Sequence, residues 1–249
     1  RHGELSAFGA AFLPEAKALY QLYETTLHNG MSMAQGQSGS IRLGVLPSIA
    51  KTVLAHIIRA FLVQHPQVHL QVQDDNGDNL RDKVLDRRVD LAISSIWQTE
   101  PDLNYTHLCA DRVGIVARKS HPWMQKGSQI NWDQLSQEKL IRNGTTPLVD
   151  KTPAQGFLFA AMQVTNMTSL VAMLEGGAGI TTLPWLAFPR GSHELAFRLM
   201  EEPPVQRQIA LMKSRHHQQM PATAALESII IDTFKRRTKD LENPTQLIT

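Results

Sequence analysis

Between Ile41 and Ile93 the apolar residues change period four times, and that switching leaves few folds open. Ile41-Arg42-Leu43-Gly44-Val45-Leu46 alternates with the period of a strand and stops at Pro47. From Thr52 to His65, Val53, Leu54, Ile57, Ile58, Phe61 and Leu62 recur at the spacing of one helical face. His65-Pro66 closes that helix, because a proline disfavours helical backbone in the residue before it. Val68 to Val72 reads as a second strand, Asn79 to Arg87 as a short helix, and Val89-Asp90-Leu91-Ala92-Ile93 as a third strand. Strands separated by helices of this length predict βαβ units and a mostly parallel sheet.

An apolar strand from Asp111 to Val116 then breaks the rhythm, and a second α/β alternation follows. Trp132 to Gln137 and Pro153 to Met162 read as helices, Lys139 to Arg142 as a strand between them. Thr168 to Glu175 is a further helix, and Ile180 to Leu183 a strand ending at Pro184. Gln208 to Lys213 returns as a strand, and a closing helix from Ala222 to Arg237 puts Leu226, Ile229, Ile230 and Phe234 on one face. Two α/β lobes joined by crossings near 115 and 206 account for this order. The expected division is 1–39 for a leading helix and hinge, 40–116 with 206–249 for the first lobe, and 117–205 for the second.

The leading segment has its own pattern. Leu13, Ala16, Tyr20, Tyr23 and Leu27 are spaced 3, 4, 3 and 4 apart, the seam along which a helix buries a narrow face on a partner. A surface helix packed on its own domain is the alternative. Pro14 means either that the helix restarts there or that it bends. Asn29 to Ser40, rich in Gly, Ser and Gln, reads as a hinge. Arg1-His2-Gly3-Glu4 opens without Met and without a signal sequence, so the chain is expected to begin just after a missing domain.

Composition excludes more than it assigns. Hydrophobic residues make up 42% and charged residues 19%, as in an ordinary soluble protein, and no apolar run reaches the ~20 residues of a membrane span. The net charge of +2 is scattered, apart from Lys235-Arg236-Arg237, and does not demand an acidic partner. A single Cys109, in an apolar context, fits a buried thiol in a reducing compartment.

Ligands of open α/β sheets sit beyond the carboxyl ends of the strands. Hydroxyls gather at such junctions here: Pro47-Ser48, Ser94-Ser95, Thr145-Thr146 and Thr168-Ser169. Each alone is adequately explained as a helix cap. Together, on the cleft side, hydroxyls and helix N–H groups suit a small anion or carboxylate. No nucleophile elbow, phosphate loop, dinucleotide fingerprint or zinc motif is present, so no catalytic residue, metal ligand or cofactor is assigned. His216-His217 reads as a solvated turn, and Gly176-Gly177-Ala178-Gly179 as a helix end.

The same residues resemble the LysR-type transcriptional regulators of bacteria. Leu170-Val171-Ala172, Glu175-Gly176-Gly177-Ala178-Gly179-Ile180 and Leu183-Pro184 are similar to that family's most specific stretch. Arg1, Leu5-Ser6, Gly9 and Phe12 resemble its junction between winged helix-turn-helix and linker helix. Ser40 to Gly44, Phe61 with His65-Pro66, and Arg88 to Ile93 resemble its other segments in order. The resemblance implies a two-lobed, periplasmic-binding-protein-like (type II) fold behind a linker helix, in a cytoplasmic regulator that is not an enzyme. It places an effector between the lobes at Ser48, Ile49, Ser94, Ser95, Thr145, Thr146 and Thr168. It also implies a homodimer contact through Val53, Leu54, Ile57, Ile58, Phe61, Leu226 and Ile230, with the linker helix completing a homotetramer. Promoter DNA would be bound through the missing N-terminal domain. A transporter's solute-binding protein shares the fold, but the missing signal sequence and the heptad helix disfavour it. A two-lobed metabolic enzyme lacks support from any acid/base cluster.

Overall fold

In the computed structural model, residues 5–35, 37–96, 98–149, 152–202, 204–242 and 247–248 are described. In chain order the elements are α1 (Ala7–Ala34), β1 (Ser38–Val45), α2 (Pro47–Ile49), a π-helical stretch Ala50–Leu54, α3 (Ala55–Gln64), β2 (Gln67–Asp74), α4 (Gly77–Leu85), β3 (Leu91–Ser95) and β4 (Leu103–Arg118). They continue with β5 (Ile141–Arg142), β6 (Met162–Gln163), α5 (Met167–Glu175), β7 (Thr181–Pro184), β8 (Leu195–Leu199), β9 (Gln206–Ser214), α6 (Pro221–Glu242) and β10 (Leu247–Ile248).

Local chemistry sets the helix ends. Ser6 caps α1, its hydroxyl accepting the Gly9 N–H at 3.0 Å. Asn76 and Asn166 do the same for α4 and α5. The predicted start of α5 at Thr168 is therefore corrected, the cap being two residues earlier. α1 runs as one helix with Pro14 inside it rather than restarting there. It also absorbs half of the predicted hinge and β1 takes its end: Ser32 is buried, its carbonyl accepts the Gln37 N–H at 2.9 Å, and β1 begins at Ser38. The segments predicted as helices at Trp132–Gln137 and around Pro153–Phe159 are 3₁₀ turns. Runs of six and seven residues are too short to recover the cost of α-helix nucleation on their own.

The first sheet runs β2-β1-β3-β9-β4. β1 is parallel to β2 and β3, whereas β9 lies antiparallel to both β3 and β4. The mostly parallel sheet expected from the sequence is thus a mixed one, because β9 returns from the second lobe in the opposite sense. β4 is the beam that joins the halves. Leu103–Arg112 pairs with β9, and Val113–Arg118 passes into a second sheet beside β7 and β8. The chain crosses back where the Val113 N–H meets the Val205 carbonyl at 2.9 Å.

α3 packs along α6. Val53, Leu54, Ile57, Phe61, Leu226 and Ile230 are 0–9% exposed in one core cluster, with Ile58 packed against it. Burying a side chain of this size contributes about 1.5–3 kcal/mol. Six of the seven residues expected at a subunit contact therefore already serve the chain's own core. The apolar surface left on α3 is Leu62 and Val63, 38% and 79% exposed, beside the partly buried Ile58.

Candidate functional site: the junction between the lobes

A buried ion pair sits where the two lobes exchange strands. Asp111 on β4 and Arg207 on β9 are register partners, with Nη2 2.5 Å from Oδ2 and both side chains almost fully buried. The same Nη2 donates to Ser48 Oγ at 2.9 Å, and the Leu186 N–H donates to Asp111 Oδ1 at 3.1 Å. One pair of charges thus ties the β1–α2 turn of the first lobe, both crossing strands, and the turn after β7 in the second. Burial pushes the Asp111 carboxyl above its ordinary range, against the pull of Arg207, the Leu186 amide and the more distant Arg190. Arg207 Nε has no hydrogen-bond partner among the described residues.

Ser48 and Ser94 share one end of the first sheet. The Leu46 N–H donates to the Ile93 carbonyl at 3.1 Å, which brings the β1 turn beside the end of β3. Ser94 is fully buried, and its hydroxyl has no partner among the described residues. Ile49 is buried in the core. Ser95 points elsewhere: alternation along the strand sends it to a small recess with Gly77, Arg81 and Tyr105 on the α4 side.

In the second lobe Thr145 and Thr146 belong to a closed network around the buried Asn143. The Asn143 N–H donates to Thr146 Oγ1 at 2.9 Å, and Thr145 Oγ1 donates to Asn143 Oδ1 at 2.7 Å. The Asn143 amide also donates to Thr181 Oγ1 at 2.7 Å and to the Thr182 carbonyl at 2.8 Å. Thr168 is exposed on the first turn of α5. The seven residues thus fall into separate groups: Ser48 and Ser94 lie at one lobe's strand ends, Thr145 and Thr146 in a loop of the other.

Sequence reading missed Asp111, Arg207 and Asn143. A lone carboxylate in the stretch Leu108 to Val116, which is otherwise apolar apart from Arg112, was the available signal for the first. Hydroxyls, amides and a buried guanidinium provide hydrogen bonds rather than a nucleophile and base. Cys109 is fully buried on β4, and His216 is an exposed turn residue 2.8 Å from Asp102. No group of three His, Cys, Asp or Glu able to hold a metal occurs among the described residues. None of the described helices is long and apolar enough to cross a membrane.

Comparison with known proteins points one way. Residues 34–235 match the family described as LysR substrate binding domain. The chain is 23% identical over 246 residues to the uncharacterized HTH-type transcriptional regulator YbhD of Escherichia coli, covering 96% of this chain and 76% of that one. It is 24% identical over 177 residues to the E. coli dual regulator OxyR, covering 57% of it. The chain thus spans only part of these relatives. Among solved structures, full-length CbnR with its target DNA gives a TM-score of 0.68 at 18% identity, covering 93% of this chain and 81% of that one. The effector binding domain of QuiR with shikimate also gives 0.68, at 20% identity, covering 83% of this chain and all of that one. At such identities the structural likeness speaks for the fold.

Proposed function

The chain belongs to the LysR substrate-binding domain family, the effector-sensing region of LysR-type transcriptional regulators, and on that premise we propose that it senses a small anion or carboxylate held between its lobes. The observation that carries this reading is the Ser48–Arg207–Asp111–Leu186 chain of contacts, with Ser94 Oγ and Arg207 Nε buried and without partners among the described residues. A buried polar group without a partner costs about 1–3 kcal/mol, which a ligand able to bond it removes. Ser48, Ser94 and the Thr145-Thr146 loop are the proposed contacts, with Thr168 at the rim. Ile49 shapes the turn from below. A ligand there touches the residues that hold the lobes together. It shifts their arrangement only by as much as its affinity differs between arrangements.

Regulation at a promoter follows from the family, and full-length CbnR has been seen on its target DNA. We assign DNA reading to a helix-turn-helix outside these residues, and a cytoplasmic, non-enzymatic role to the sensor. Screening small carboxylates, amino acids and inorganic anions by thermal shift identifies the ligand. Ser48→Ala is then expected to weaken it about tenfold, the loss of roughly one good hydrogen bond at 1.4 kcal/mol. Unchanged affinity in both Ser48→Ala and Ser94→Ala moves the site elsewhere.

Assembly is part of the same proposal. Along α1, Tyr20, Tyr23 and Leu27 are 61%, 58% and 49% exposed, with Phe8, Phe12 and Met31 also outside. So much apolar surface on one helix suits a partner helix. The outward residues of α3 supply a second contact, and the two together give a tetramer. Leu27→Asp with Tyr23→Asp is expected to halve the mass seen by light scattering without loss of secondary structure. An unchanged mass rejects α1 as an interface.

A further inference from the structure

A second opening borders the junction at Leu186, a cleft of ≈ 540 Å³ with walls from both lobes. Lys51 of the π-helical stretch and Arg237 of α6 stand on one side, and Arg190 stands on the other, in the loop that follows β7. Its floor is apolar, with Val171, Leu186 and Phe188. Glu175, the carboxylate among the described lining residues, accepts the Ser192 hydroxyl at 2.6 Å, which fastens the loop to α5.

Three features single this cleft out. Lys51, Arg190 and Arg237 have no carboxylate at ion-pair distance among the described residues, unlike Arg42, Lys83, Arg118 and Lys213 elsewhere. Arg237 Nη1 is buried with no hydrogen-bond partner among those residues, an arrangement that is costly until an acceptor arrives. The Arg190 guanidinium is held 4.3 Å above the Trp185 ring, which stacks on Phe188. That contact fixes a cation at the edge of an aromatic surface. Burial pulls the Arg190 pKa downward while Asp111 holds it up, so a further anion would relieve the same strain on its charge.

We propose that this cleft is a second ligand site, taking an organic oxyanion whose carboxylate or phosphate group meets Lys51, Arg190 and Arg237 and whose apolar body lies on Val171, Leu186 and Phe188. The volume falls within the range of small-molecule pockets, roughly 300–1,000 Å³. Because its cations stand on both lobes, an occupant stabilises the arrangement in which they face one another. The cleft shares Leu186 with the Ser48–Arg207–Asp111–Leu186 chain but none of the proposed effector contacts, and Ser48→Ala separates the two sites.

Calorimetric titration of the 249-residue chain with naphthoate, and with the uncharged naphthamide, tests it. Naphthoate is expected to bind at least about tenfold tighter than the amide, as charge-assisted hydrogen bonds require. Its affinity should fall as salt rises. Arg190→Gln and Arg237→Gln should each weaken it about tenfold, while Ser48→Ala leaves it unchanged. Melting temperatures of the variants confirm that the fold is intact, and Lys51→Gln serves if either arginine variant unfolds. No binding of naphthoate, equal binding of acid and amide, or full affinity in the cation variants overturns the site. Loss of affinity in Ser48→Ala does so too, by placing the probe at the junction.

Discussion

Arg207→Met is expected to cost the fold about 3–5 kcal/mol in urea unfolding at neutral pH, a third or more of a typical domain's stability. The methionine fills similar space, but it leaves the Asp111 carboxylate fully buried with only the Leu186 N–H directed at it. It also removes the donor to Ser48 Oγ. The cost is that of an uncompensated charge, not the net worth of the pair, and a double variant separates the two. Asp111→Leu with Arg207→Met is expected to recover all but about 1–2 kcal/mol, the residue being the Leu186 N–H left without an acceptor. The pH dependence has a definite sign. Burial already pushes Asp111 upward, and without Arg207 its folded-state value rises further above the unfolded value of about 3.9. The folded variant then binds more protons than its unfolded state, so its stability falls as pH rises. Its deficit against the parent should therefore shrink on acidification from about pH 7 to about pH 5. A loss below about 1 kcal/mol, or a deficit that grows on acidification, means that the pair is not what joins the lobes.

The contrast between fold and site shows where sequence reading succeeds. β1, β2 and the helical face from Val53 to Leu62 were legible because partial burial prints a period on their residues, and β3 as a short apolar run buried at every position. The first half of β4 was not, since Asn104, Tyr105 and Thr106 are only partly covered, His107 is exposed, and the four interrupt the apolar pattern. β8 was missed because five residues next to the Gly191-Ser192 turn leave too short a window for a period. Periodicity also says that a face is covered without saying by what. Val53, Ile57 and Phe61 read as a subunit contact, and they lie in the same buried core cluster as Leu226 and Ile230 of their own chain. The site follows the same logic. Pro47-Ser48 announces a strand end, but the guanidinium that holds Ser48 lies 159 residues away. Lys51, Arg190 and Arg237 likewise come from three distant segments that only the fold assembles.

Glycine is the other place where the sequence was explicit, and here the expected effects differ sharply over three positions. Gly177 follows α5 with φ of 77°, its N–H on the Leu174 carbonyl at 3.0 Å. A Cβ there would meet only the Arg118 side chain at 3.5 Å. Gly177→Ala should cost about 1–2 kcal/mol, the price of left-handed backbone in a residue with a side chain. Gly179 is different. A Cβ on it would lie 2.0 Å from the Lys139 carbonyl oxygen and 2.9 Å from its carbon, both backbone atoms that cannot swing aside. That carbonyl accepts the Ile180 N–H at 2.8 Å, and the Ile180 carbonyl accepts the Ile141 N–H at 2.9 Å. The close approach is what lets β7 enter beside β5, and alanine must push the two strands apart. Asn143, two residues beyond Ile141, reaches across the same gap to Thr181 and Thr182, so the displacement extends to the Thr145-Thr146 loop. Gly179→Ala is therefore expected to cost about 3 kcal/mol or more, at the upper end for overpacking. The variant should also weaken any effector held by that loop, an effect Gly177→Ala should lack. Urea midpoints of the two variants decide the matter. If Gly179→Ala is no less stable than Gly177→Ala, the glycine is not there to bring two strands together.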